Sequence, residues 1–238
     1  MEVWIMGKDL FDYDIFPTKK QFRKVNCIDK ICGIPQITLF RNMILFHPEI
    51  CLINDAIVNY NNEVIVAKIY YAYIEKYNKY YKKYGDEEYA FWTRKYIEQT
   101  IKELYSIYDK SMHIINYLYD FKIYPDLDFK KKVRESLRKT DEKFYKKINN
   151  VYSKLYGDKY KNIIRNDITH NFSNLFLRYV PIYNNGKKTG WKAEEAIGID
   201  EAIKIINDIC DILGDNLNII VDKLMERFPP IKYDKGEC

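Results

Sequence analysis

Glycine and proline are scarce in this chain of 238 residues, which contains 9 and 7 of them. An all-β sandwich needs a turn about every 8–12 residues, and turns are built mainly from glycine, proline and small polar residues. The composition therefore excludes such a fold. The stretch from Glu49 to Tyr124 has no proline and a single glycine, Gly85, and so favours long helices.

Long apolar runs are also absent, since none approaches the roughly 18–20 residues that span a bilayer. The first residues, Met1 to Asp9, show no basic stretch followed by an apolar one, as a signal peptide would. The 5 cysteines are an odd number and form no Cys-x-x-Cys pair, so we expect reduced thiols. Together these absences predict a cytoplasmic protein with no membrane contact.

Motifs for metals and nucleotides are missing as well. We find no glycine-rich phosphate loop, no His-x3-His pair and no carboxylate cluster at metal-binding spacing, and we expect no cofactor. One alternative is a zinc site, because two thiols followed by a His/Cys pair resemble tetrahedral zinc ligands. Apolar neighbours favour burial of these thiols in a core instead. The four residues of this set are Cys27, Cys32, His47 and Cys51.

Apolar residues recur at helical spacing through most of the chain. The pattern predicts one long helix before Gly85 and a second, capped by Asp86, that continues to Leu118. Two long helices joined by a short turn should pack antiparallel. His113 lies among apolar residues of the second helix, so we expect it to be a partly buried packing residue.

Further helices are predicted over residues 126–156, 158–179 and 200–228, with Asp200 as a cap and Gly214 as a break within the last one. The segment Tyr183 to Trp191 predicts a hairpin or exposed loop. We therefore expect an all-α fold, a multi-helix bundle over residues 53–238 with a small irregular N-terminal elaboration over residues 1–52.

The net charge of +5 is unevenly distributed. Lys122 to Arg165 contains 14 basic and 6 acidic residues, a local net charge of +8, whereas residues 192–238 contain 6 basic and 11 acidic residues. Such asymmetry predicts one surface suited to phosphate and another suited to a basic partner. Lysine-rich helices are also commonly just solvated faces, which is the alternative.

One histidine lies on a polar surface of the predicted fourth helix. Ile164, Ile168 and Phe172 share an apolar face of that helix. The opposite side carries a polar ridge formed by Asn166, His170, Ser173 and Asn174. Arg165 lies about 140° from His170 around an ideal helix, so one copy of the helix does not simply place both side chains on one phosphate.

The run Arg165-Asn166-Asp167-Ile168-Thr169-His170 resembles the Arg-x4-6-His signature of the HEPN superfamily in its Arg-Asn-x3-His form. The resemblance implies a helical bundle that is usually dimeric. Many such proteins are metal-independent ribonucleases of toxin–antitoxin, phage-defence and CRISPR systems. It further implies that two motifs, one from each protomer, form one composite site. The implied partners are RNA, a second copy of the chain, and a cognate antitoxin or sensor protein.

The residue types suit RNA cleavage, because the 2′-hydroxyl of RNA is an internal nucleophile and needs no metal. An imidazole with a pKa near 6.5 can exchange protons at neutral pH, and an arginine can hold a phosphate bidentately. The expected catalytic residues are Arg165, Asn166 and His170. Further candidates for substrate contacts are Asp167, Thr169, Ser173 and Asn174.

The resemblance implies products with 2′,3′-cyclic phosphate and 5′-hydroxyl ends. Two alternatives remain open. The first is a non-catalytic HEPN-type module that binds a partner protein or a nucleotide. The second is that the polar residues of the motif merely face water.

Overall fold

The computed structural model describes residues 28, 31, 34, 48–157, 176–184, 186–195 and 197–228. Within these residues the chain forms five helices and one two-stranded hairpin, which confirms the predicted helical bundle. In chain order the elements are α1 (Pro48–Tyr84), α2 (Glu87–Leu118), α3 (Phe129–Thr140), α4 (Glu142–Tyr156), β1 (Leu177–Asn184), β2 (Lys187–Glu195) and α5 (Ile199–Arg227).

A two-residue turn separates α1 from α2, as predicted. Gly85 adopts a φ of +69°, a left-handed conformation that glycine reaches without steric cost. The Asp86 side chain caps α2 by accepting a hydrogen bond of 2.9 Å from the Glu88 N–H. Ring contacts advance in opposite directions along the two helices and confirm the antiparallel packing: Tyr73 with Tyr96, Tyr77 with Trp92, and Tyr80 with Tyr89.

The predicted single helix over residues 126–156 is wrong, because the chain breaks at Asp141. This residue ends α3 with an extended backbone (φ −144°, ψ 82°) and begins α4. Its carboxylate accepts a hydrogen bond of 2.9 Å from the Phe144 N–H, which satisfies a donor that the new helix leaves open. α4 then ends at Gly157, as predicted.

The predicted fourth helix ends too late. Leu177 to Tyr179, expected to be its last residues, belong to β1 instead. Residues 158–175 of that prediction lie outside the described residues. The hairpin expected around Tyr183 to Trp191 is confirmed, and it is longer than expected because β1 and β2 pair from Leu177 with Glu195 to Asn184 with Lys187. Gly186 lies at its turn with a φ of +74°, a left-handed conformation that favours glycine.

The last helix differs from the prediction at two positions. α5 begins at Ile199 with Gly198 as its N-cap, so Asp200 is not the cap but lies in the first turn. There the Asp200 carboxylate accepts a hydrogen bond of 2.7 Å from Lys82 of α1. Gly214 does not break α5, since the helix continues through it and buries it against the core.

α2 lies at the centre of the bundle, where it contacts α1, α3 and α5. Its apolar residues are fully buried, for example Ile97 and Leu104. His113 stacks on Phe129 of α3 with ring centroids 4.4 Å apart, which confirms it as a partly buried packing residue. None of the described helices has both the length and the apolar character needed to cross a membrane.

Three described residues precede α1, and all are buried isoleucines: Ile28, Ile31 and Ile34. The Asn61 side chain of α1 binds the backbone of Ile34, the last of the three. The Ile34 N–H donates to Asn61 Oδ1 at 3.1 Å, and Asn61 Nδ2 donates to the Ile34 carbonyl at 3.0 Å. This reciprocal pair joins part of the N-terminal region to the bundle. The proposed division at residue 52 stays a prediction.

Candidate nucleic-acid interface

All the predicted catalytic and substrate-contact residues fall in one segment, residues 158–175, outside the described residues. We call this the motif segment. It contains Arg165, Asn166, Asp167, Thr169, His170, Ser173 and Asn174. The structure describes the residues on either side of it, and these fix where the segment leaves the bundle and where it returns.

The motif segment starts where α4 ends. At Gly157 an added Cβ would lie 2.6 Å from the Ser153 carbonyl oxygen, too close for any side chain without a backbone shift. Tyr105 of α2 secures this end, since its hydroxyl donates a hydrogen bond of 2.9 Å to the Leu155 carbonyl. This hydrogen bond from α2 satisfies a carbonyl group that has no partner within the last turn of α4.

Aromatic rings and cations surround the same end of α4. Tyr152 and Tyr156 stack with centroids 4.7 Å apart. The Arg134 guanidinium of α3 lies 3.4 Å from the centre of the Tyr152 ring, a cation–π contact. Lys130 donates to Asp109 at 2.7 Å and to the Tyr156 hydroxyl at 3.2 Å. These contacts hold three helices together beside the start of the motif segment.

The motif segment returns to the bundle at Phe176, which is 1% exposed. Arg94 of α2 lies over this ring, with its guanidinium carbon 5.8 Å from the ring centre. A nitrogen of the same guanidinium lies 3.9 Å from a Glu87 carboxylate oxygen. α2 therefore contacts the chain at both ends of the motif segment, through Tyr105 and through Arg94.

Basic side chains cover the outer faces of α3 and α4. Residues 129–156 include 10 basic and 3 acidic residues, a net charge of +7. Three of the exposed lysines are paired with carboxylates: Lys132 with Asp126, Lys146 with Glu142, and Lys154 with Asp215. Five further exposed cations have no carboxylate within 4 Å among the described residues, and we call these five the α3–α4 basic surface: Lys131, Arg138, Lys139, Lys143 and Lys147.

Two of these lysines, Lys143 and Lys147, line a groove of about 270 Å³ between α4 and α5. Both are exposed at its rim. The other charged residues of the groove are one lysine and three acidic residues, so the two rim lysines bring its net charge to zero: Lys223, Asp141, Asp222 and Glu226.

Asp141 is held in place at this groove. It accepts a hydrogen bond of 2.7 Å from the Tyr119 hydroxyl and lies 3.0 Å from Lys223 Nζ of α5. Burial opposes ionisation of Asp141, but its hydrogen bonds from Phe144, Tyr119 and Lys223 outweigh burial and lower its pKa.

The bundle also contains a carboxyl pair that sequence reasoning missed. Burial raises the pKa of Glu103 on α2 to about 7, and a hydrogen bond with Glu63 of α1, together with the charge of Glu63, adds to the effect. Lys110 lies 3.8 Å from Glu63. Because the two glutamates are 40 residues apart, only the α1–α2 register set at Gly85 brings them together.

His113 is the one histidine among the described residues. Burial lowers its pKa, and the nearby Lys110 charge lowers it further. A neutral imidazole stacked on Phe129 suits packing rather than proton transfer to a substrate. Of the zinc set, the structure describes Cys51 only, which is half-buried in α1. Cys27, Cys32 and His47 lie outside the described residues, so the zinc interpretation stays a prediction.

A family model of Cthe2314-like HEPN domains matches residues 51–228, about three quarters of the chain. The matched region includes the five described helices almost completely, the hairpin and the motif segment. Neither the search of curated proteins nor that of solved structures gave a match. On the extent of the family match, this chain belongs to the Cthe2314-like HEPN family.

Proposed function

We propose that this protein is a metal-independent RNA endonuclease of HEPN type. The observation that carries the proposal is the sequence Arg165-Asn166-x3-His170 inside the region that the family model matches. The described contacts at Leu155 and Phe176 support it, because they secure the chain on both sides of the motif segment. A site that performs chemistry needs such support to hold its groups in place.

In the proposed reaction the 2′-hydroxyl attacks the adjacent phosphate and expels the 5′-oxygen of the next nucleotide. His170 exchanges a proton with one of these oxygens, which an imidazole can do near neutral pH. Arg165 binds the phosphate and stabilises the charge that develops on its oxygens. Asn166 orients either the imidazole or the phosphate. The products carry 2′,3′-cyclic phosphate and 5′-hydroxyl ends, and the reaction requires no cofactor.

We further propose that the active species is a homodimer in which two motifs meet. Arg165 and His170 lie about 140° apart around one ideal helix, which supports a composite site. A second copy of the helix can bring its own arginine or histidine to the same phosphate from another side. The resemblance to HEPN ribonucleases supports a role in defence or in a toxin–antitoxin system. A cognate antitoxin or a sensor protein is accordingly the expected regulatory partner.

The α3–α4 basic surface supports RNA as the substrate. Phosphates attract clustered cations whatever the base sequence, and this attraction supplies much of the affinity for nucleic acid. The five cations have no carboxylate within 4 Å among the described residues, and α4 leads directly into the motif segment. The cations that would bind RNA are therefore close in the sequence to the proposed catalytic residues.

The test is RNA cleavage in the presence of EDTA by the wild type and by His170→Ala. We expect the wild type alone to cut and to leave cyclic-phosphate ends. Removal of a general acid or base lowers the rate by about 10²–10⁴-fold. His113→Gln is the matched control, because His113 packs against Phe129 and should leave cleavage unchanged.

Circular dichroism should show the same helix content in all three proteins. Equal cleavage by wild type and His170→Ala would contradict the proposal and point to another site or a contaminant. No cleavage by the wild type, tested with several RNAs, would favour the non-catalytic module that binds a partner protein or a nucleotide.

A further inference from the structure

Within the described part of the chain, the β1–β2 hairpin makes few contacts with the helices. Its extensive contacts are between its own two strands. A register shift between Ile182 and Tyr183 adds a bulge near its tip.

One face of this hairpin is aromatic. In an antiparallel pair, residues that lie opposite each other point to the same side. Pro181 lies opposite Trp191, and Tyr183 lies opposite Lys188, so all four share one face, which we call the aromatic face. Tyr183 is 64% exposed and Trp191 is 59% exposed. The Lys188 ammonium lies 3.5 Å from the centre of the Trp191 ring.

The hairpin side chains that the structure describes, in residues 180–184 and 186–192, carry a positive charge. Residues 180–192 contain three lysines and no acidic residue. Lys187, Lys188 and Lys192 are all exposed. Lys188 lies on the aromatic face, whereas Lys187 and Lys192, which pair with Asn184 and Val180, lie on the opposite face. Flat aromatic surfaces interleaved with cations are the features that bind single-stranded nucleic acid, in which bases stack on the rings and cations contact phosphates.

We propose that the aromatic face is a stacking platform for the bases of single-stranded RNA, with Lys188 as the phosphate contact on that face. This inference rests on the proposed function, since it assigns the hairpin to the same substrate. Duplex RNA hides the faces of its bases, so only unpaired bases can use the platform. Only six residues separate His170 from Leu177 at the start of β1, so the hairpin directly follows the motif segment.

The binding test uses His170→Ala as the parent protein, so that RNA is not cut during the measurement. Fluorescence anisotropy with labelled oligouridine gives the Kd of the parent, of parent plus Trp191→Ala, and of parent plus Tyr183→Ala. We expect each hairpin substitution to raise Kd by roughly tenfold, as for the loss of one stacked base. Tyr124→Ala is the matched control, because Tyr124 is 87% exposed on a helix-connecting loop.

A second measurement follows Trp191 directly. Trp4→Phe and Trp92→Phe leave Trp191 as the one tryptophan of the chain, whose fluorescence should be quenched by oligouridine. If bases stack on the aromatic face, the quenching of Trp191 should saturate at the same oligouridine concentration as the anisotropy. Weaker quenching by a duplex of the same length is expected as well.

The outcomes separate the two proposals. If the parent binds oligouridine and both hairpin variants bind it equally well, with no quenching of Trp191, the platform is overturned and the ribonuclease proposal stands. Equal binding of duplex would also overturn it. If the parent binds no RNA and the wild type cleaves none, the proposed function itself fails.

Discussion

At the scale of single residues, Glu103 shows how a fold can hold a carboxylic acid in its neutral form. Its pKa is raised to about 7 because burial and the neighbouring Glu63 both disfavour its ionised form. The folded protein therefore binds a proton that the unfolded chain, with a pKa near 4.5 at this position, has already released. Stability should accordingly fall as the pH rises from about 4.5 to about 7.

Glu103→Gln should remove this pH dependence, because an amide keeps a hydrogen-bond donor toward Glu63 and carries no charge. We expect the variant to be more stable than the wild type above pH 7 by about 1 kcal/mol, after allowance for solvent screening of a half-exposed group. Urea denaturation at pH 5 and pH 8 measures this change. Glu135→Gln is the control, since Glu135 is exposed on α3. Parallel stability curves for wild type and Glu103→Gln would contradict the prediction.

At the same scale, the sequence identifies candidate catalytic residues, but it does not reveal contacts between residues that are far apart in the chain. Arg165 and His170 form a motif because they are close in the chain. The Glu63–Glu103 pair leaves no such trace, since its contact depends on how two helices pack. The same holds for Arg94 and Phe176, which are 82 residues apart and meet only in the fold.

At the scale of elements, the sequence predicted helices well where a local signal marked their ends. Gly85 and Asp86 mark the α1–α2 turn by a left-handed glycine and a side-chain cap. The break at Asp141 was missed because the apolar pattern continues across it. Leu137 and Phe144 are seven residues apart, a spacing that also keeps two residues on one face of an unbroken helix.

The start of the hairpin was missed for a related reason. Leu175 and Tyr179 are four residues apart and so match a helical face, which extended the predicted helix into β1. What decides the strand is pairing with β2, which places Tyr179 opposite Ala193. Such pairing depends on residues more than ten positions away, so local periodicity does not reveal it.

Gly157 provides a test of how the end of α4 supports the motif segment. In Gly157→Ala the new Cβ would lie 2.6 Å from the Ser153 carbonyl, a backbone atom, so the end of α4 must shift. We expect a stability loss of about 1–3 kcal/mol, as for other overpacked sites, and a lower rate of RNA cleavage. Urea denaturation and single-turnover cleavage measure the two effects.

Gly190→Ala serves as the stability control, because an added Cβ at Gly190 meets no atom within 4 Å. Its stability should lie within about 0.5 kcal/mol of the wild type. If Gly157→Ala were equally stable and equally active, the close approach to Ser153 would not constrain the start of the motif segment.

At the scale of the whole molecule, the proposed composite site predicts that two inactive variants can complement each other in one dimer. Arg165→Ala and His170→Ala should each be inactive as homodimers. In a heterodimer of the two variants, one protomer still supplies Arg165 and the other still supplies His170. We therefore expect the co-expressed and purified heterodimer to cleave RNA at a substantial fraction of the wild-type rate.

Differently tagged copies allow the heterodimer to be isolated, and light scattering establishes its mass. A co-expressed pair that carries His170→Ala in both chains is the control and should be inactive. An inactive heterodimer of correct mass would contradict a site that needs only one arginine and one histidine, each from a different chain. A monomeric wild type with full cleavage activity would exclude the composite site.

The position of α2 has a consequence for genetics. Arg94 and Tyr105 contact Phe176 and Leu155, which flank the motif segment, from the same helix, and their Cα atoms are about 16 Å apart along its axis. Any substitution that slides or tilts α2 moves both attachment points together. A selection for loss of function should therefore recover substitutions at buried α2 positions such as Leu104, and second-site suppressors of motif-segment mutations should map to the same helix.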